Sequence, residues 1–307
     1  MANFLPPRPR YARERALYAF LMLFCFAATL ALRLSAGYLA QFFPLLVLNT
    51  AQAAVLLLAA LVFIGARGQG YGRAIRWRRP HAVHAPLILA ALFALLCGAL
   101  LLSILFGGTD TLGNSVISFE KSAPLTVWQG VIAVPALALL PALTEELLFR
   151  GVLCAELDRR GVWRALLVGP LLFSLLHFDP ANLPAYFFIG FFLTLVLYAT
   201  DSLIAATLVH ALYSIVLLFA QRYLNALYHF TSNAPLFLFL LILVFLISLW
   251  LFCLFCAREY RARERAGAKS PRRDVPRDVQ LYTTLDALGE IPVVLCFLIA
   301  IAGMILL

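Results

Sequence analysis

The chain has 307 residues, 64% of them hydrophobic and 13% charged, and 24 Lys and Arg against 15 Asp and Glu give a formal net charge of +9. A soluble domain carries about a quarter of its residues as charges. Apolar runs, each near the roughly 20 residues that cross a hydrocarbon layer, recur from end to end. This composition argues against a soluble enzyme and predicts an all-α, polytopic transmembrane bundle of eight or nine spans, forming one integral membrane domain over residues 1–307.

In chain order, the predicted spans are Ala16–Gly37, Phe43–Gly65, Pro86–Phe106, Val127–Ala155, Trp163–Phe178, Leu183–Thr200, Ser202–Gln221, Pro235–Ala257 and Leu288–Leu307. The first is too long for a signal-peptide core and lacks a small-residue cleavage site, so it reads as a retained span. Basic residues alternate with the connections. Arg8, Arg10, Arg13 and Arg15 precede the first span; Arg67, Arg73, Arg76, Arg78 and Arg79 follow the second; Arg159, Arg160 and Arg164 separate the fourth from the fifth. The connections between are poor in Lys and Arg. By the positive-inside rule the N terminus is cytoplasmic, and the positive charge serves topology and lipid contact rather than nucleic acid.

Two connections are long. Residues 107–126 mix turn formers with a short interfacial helix on the outer side. Residues 258–286 form a basic cytoplasmic loop, whose first half continues the eighth helix and whose remainder, broken by Pro271 and Pro276, is expected to be flexible. The six cysteines (Cys25, Cys97, Cys154, Cys253, Cys256, Cys296) sit in or beside apolar runs. Cys253 and Cys256 form a C-x-x-C with no second pair, which reads as ordinary packing. His81, His84 and His229 fall at loops and are expected at the surface.

An ionisable residue inside a membrane costs a few kcal/mol, so each needs a reason. Glu145, Glu146, Arg150, His177 and His210 cluster on the fourth, fifth and seventh spans. Glu146 and Arg150 are one turn apart and can pair. Glu145 lies about 100° around the helix from Glu146, so one carboxylate can be held while the other faces a cavity. Two environments for two carboxylates are what acid–base chemistry requires. Along the bilayer normal, the spacings place Glu145, His210 and His177 about 10–15 Å apart in depth at 1.5 Å per residue.

The ordered set "EELLFR", "FSLLH" and "HALYS", residues 145–214, resembles the three motifs of the Abi or CPBP family of intramembrane proteases, which includes the Ras-converting CAAX prenyl endoprotease. The resemblance implies a glutamate-type endopeptidase with a protease-like core at about 127–221. Glu145, Glu146, His177 and His210 are the candidate catalytic residues, with Arg150 and Ser214 in support. Glu145 would activate water, His177 would hold it, and His210 with the residue at 214 would stabilise the oxyanion; Glu146 and Arg150 would orient the helix. Position 214 is serine where the family usually has asparagine, a shorter side chain with one donor. The expected partner is a membrane-associated or lipid-modified protein or peptide, and the expected setting is a bacterial inner membrane.

No metal is expected. Two histidines and a carboxylate are a zinc-type donor set, but no H-E-x-x-H helix is present. Two other readings compete: a proton-coupled transporter, which lacks the expected internal repeat, and a non-catalytic membrane scaffold or immunity protein that retains the motifs.

Overall fold

The computed structural model describes residues 12–39, 45–68, 71–107, 131–159, 161–231, 234–267 and 277–307, and within them it is helical throughout. The helices are α1 (Ala12–Leu39), α2 (Leu45–Arg67), a single turn α3 (Tyr71–Ala74), α4 (Ala85–Gly107), α5 (Val131–Asp158), α6 (Val162–Leu175), α7 (Leu183–Thr200), α8 (Leu203–Thr231), α9 (Ala234–Arg265), α10 (Arg277–Leu288) and α11 (Ile291–Leu306). Among the described residues, six helices are long and apolar enough to cross a membrane: the spans within α1, α2, α4, α5, α7 and α9. Helices α10 and α11 make a pair bent by 61°, and α6 with the first part of α8 (Leu203–Phe219) are shorter apolar helices. These segments correspond one to one with the nine runs in the sequence.

The outer surface is as apolar as the inside. Trp250, Leu298, Ile301 and Ile305 are all more than half exposed, an arrangement that suits hydrocarbon and would be an aggregation hazard in water. The buried residues form one principal cluster to which α1, α2 and α4 to α11 contribute. Helices α6 and α7 pack closely: a Cβ built on Gly190 would lie 2.9 Å from the Pro170 Cα. Helix α8 packs against α4, α5 and α7, placing it beside the motif-bearing helix.

Helix α5 is irregular. Two of its stretches, Val134–Leu139 and Leu147–Leu153, are wound as π-helix. Pro135 and Pro141 remove backbone donors here, and the N–H of Leu140 reaches back to the Pro135 carbonyl, five residues away. Such widening re-aims side chains, and it is common beside functional sites. Helix α6 ends at Leu175, and a tight turn follows with Phe178 at φ 53° and Asp179 capping the amides of Ala181 and Asn182.

Several sequence expectations fall differently. Residues 107–126 lie almost wholly outside the described residues. The first half of the 258–286 stretch does extend the preceding helix, to Arg265, but its end is not a flexible tail: Arg277–Leu288 is helix α10. It is held because Ala287 and Thr284 are buried against α6. His81 is exposed, but His84 is buried, with its Nε2 3.3 Å from Glu259 on α9. The extension of α9 past the apolar run brings that carboxylate over the start of α4. The side chain of His229 lies outside those described. All six cysteines are free thiols, and Cys253 is exposed on the outward face of α9.

Candidate active site

Glu145 and Glu146 divide as their angular separation requires. Glu146 is fully buried, and its Oε1 accepts from Arg150 Nη1 at 2.6 Å and from His210 Nδ1 at 2.9 Å. Its other oxygen has no hydrogen-bond partner among the described residues. Arg150 sends Nη2 to the Gly190 carbonyl at 2.9 Å and lies 4.6 Å from the centre of the Phe173 ring. One buried carboxylate thereby ties α5 to α8, and one guanidinium ties α5 to α7.

Glu145 faces a cavity of ≈ 200 Å³, whose wall also carries His177, His210 and Ser214. This is room for several waters at about 10–15 Å³ each. His210 Nε2 is 3.9 Å from Glu145 Oε2. The 10–15 Å depth offset expected from spacing is therefore absorbed. His177 is not on the regular part of α6 but in the turn beyond it, where the chain folds back into the bundle.

Each histidine is oriented by its neighbours. His177 Nδ1 lies 2.8 Å from the Phe173 carbonyl, which can only accept, so Nδ1 carries the proton and Nε2 is the acceptor of the neutral ring. The ring stacks on Tyr186 at 3.9 Å, the planes 16° apart. His210 Nδ1 donates to a carboxylate, which likewise turns Nε2 toward the side where Glu145 stands. Phe173 touches both imidazoles edge-on and separates them.

The sequence reading grouped Glu145, His177, His210 and Ser214 correctly as neighbours, and the structure brings them to one cavity. Glu146 and Arg150 are behind that wall, not on it. Three wall residues were missed: Arg33 on α1, and Asn49 and Gln52 on α2. Their signal was present, since each is polar within an apolar run, but nothing in the local pattern links α1 or α2 to the motifs. Among the described residues, no group of three His, Cys, Asp or Glu side chains is placed to hold a metal ion.

The fold and this interior centre define a polytopic helical membrane protein with acid and imidazole groups around a cavity. Residues 126–216, under a third of the chain, match the family model described as Type II CAAX prenyl endopeptidase Rce1-like. That segment is an Rce1-like domain and assigns the chain to the CAAX-protease family of peptidases. No curated protein and no solved structure matches the chain.

Proposed function

We propose that this protein is a glutamate-type intramembrane endopeptidase that hydrolyses a peptide bond of a membrane-associated or lipid-modified substrate. The observation that carries the reading is the meeting of Glu145, His177 and His210, from three separate parts of the chain, on the wall of one cavity.

In this reading Glu145 takes a proton from a water that the Nε2 of His177 helps to hold. The water oxygen adds to the substrate carbonyl carbon, and the charge on the carbonyl oxygen meets His210 Nε2–H, whose imidazolium is favoured by the Glu146 carboxylate on Nδ1. The C–N bond then breaks, and the proton held by Glu145 leaves on the departing amine. Ser214 adds one hydroxyl donor near His210, and the carboxamides of Asn49 and Gln52 stand on the same wall. The reading is metal-free, and the inferred setting is a bacterial inner membrane.

The test is processing of a co-expressed membrane-anchored substrate. Glu145→Gln and His177→Ala are each expected to lower cleavage at least about 100-fold, the scale of losing an essential proton-transfer group, while the protein still inserts; a chelator should leave the wild-type rate unchanged. Intact processing in both variants would sink the assignment.

A further inference from the structure

Arg33 lies on α1, far from the matched segment, yet it belongs to the cavity. It is the one Lys or Arg among the residues that form the wall. Its Nη1 donates to the main-chain carbonyl of His177 at 2.7 Å, and its guanidinium carbon lies 5.7 Å from the Phe178 ring centre. Elsewhere arginines are matched with carboxylates: Arg67 with Glu156, Arg76 with Asp158, Arg150 with Glu146, Arg164 with Glu290. Among the described residues no carboxylate reaches ion-pair distance of Arg33.

A half-buried guanidinium has five N–H donors in a planar fork. One is used on His177, which fixes the group next to the turn that carries that imidazole. The remaining donors have the geometry to take a planar carboxylate with two parallel bonds. An internal stretch of polypeptide brings only neutral amides to such a site. A free chain end brings a charge that is costly in an apolar cavity unless it is paired.

We propose that Arg33 receives the C-terminal carboxylate of the substrate, so that the cavity selects chain ends over internal segments. This rests on the peptidase reading and names the substrate feature which that site recognises. Arg33 is a specificity-determining residue that stands apart from the water-activating groups.

The test uses the full-length protein in maltoside micelles, which carry no phosphate to compete for the guanidinium. The probes are an S-farnesylated peptide ending Cys-Val-Ile-Met as the free acid and the same peptide as the C-terminal carboxamide. The wild type should process the acid with kcat/KM about 10- to 100-fold above the amide, the range for a charge-assisted pair. Arg33→Gln should lose that factor on the acid and leave the amide within about 3-fold; Arg33→Lys should retain part of it. Binding of both probes to Glu145→Gln, with and without Arg33→Gln, reads the same preference without turnover. Equal slowing of acid and amide by Arg33→Gln would mean that Arg33 acts only through the His177 carbonyl, and would overturn the proposal. So would the absence of any acid preference, or failure of both probes to bind. Arg33-dependent binding of the acid without wild-type cleavage would instead overturn the peptidase reading and leave this one standing.

Discussion

Two adjacent glutamates carry different duties because of what each meets. Glu146 has an arginine and an imidazole on one oxygen and contacts the cavity only through His210. Glu145 is one residue away, and its nearest charged partner is the outer nitrogen of that imidazole at 3.9 Å. With neutral histidines, Glu146 and Arg150 cancel, so the only charges left at the cavity are Glu145 and Arg33. Removing one partner of a buried pair leaves an uncompensated charge, which costs about 3–5 kcal/mol. Arg150→Ala is therefore expected to lower the unfolding free energy in detergent by about that amount. The double variant Arg150→Ala with Glu146→Gln should recover part of the loss. If Arg150→Ala denatures at the wild-type temperature, the pair contributes nothing to stability.

At the scale of elements, the site depends on irregular backbone. Helix α5 places the glutamates between two π-wound stretches, and α6 stops short so that His177 can turn inward. Helices α6 and α7 are close enough that Gly190 has no room for a side chain: its added Cβ would meet the Pro170 backbone at 2.9 Å. The same glycine offers its carbonyl to Arg150 and to Thr194. Gly190→Ala should then cost about 1–3 kcal/mol through forced backbone movement, read as a lowered denaturation temperature together with reduced cleavage. Gly65→Ala is the control, since nothing lies within 4 Å of its added Cβ. Equal behaviour of the two variants would mean that the α6–α7 approach can yield.

For the whole molecule, charge collects at one end. Arg67 pairs with Glu156, Arg76 with Asp158 and Asp201, Arg78 with Asp201, and Arg263 donates to the carbonyls of Tyr198 and Ala199. The connections after α2, α5 and α7 and the extension of α9 thus share one face, the face the basic loops assign to the cytoplasm. In a cysteine-free background, Arg73→Cys and Arg261→Cys should be labelled by an impermeant maleimide only from the cytoplasmic side, and Pro180→Cys only from the other. The reverse pattern would invert the orientation.

The sequence by itself determined the class of fold, because a bilayer leaves apolar helices as the economical way to satisfy every backbone amide. It also pointed to five of the ionisable residues, because charge inside such helices is rare. The i, i+4 pairing of Glu146 with Arg150 was legible from one helical turn. What only the tertiary structure decided is which residues meet. Local spacing put Glu145, His177 and His210 at different depths, and α6 had to end early for them to share a wall. Spacing also said nothing of Arg33, Asn49 and Gln52, since helix packing sets their approach to the motifs. His84 shows the same limit: it reads as a loop residue until α9, carrying Glu259, is laid across it. Contact between distant segments depends on packing summed over many helices, and no periodicity within one helix encodes it.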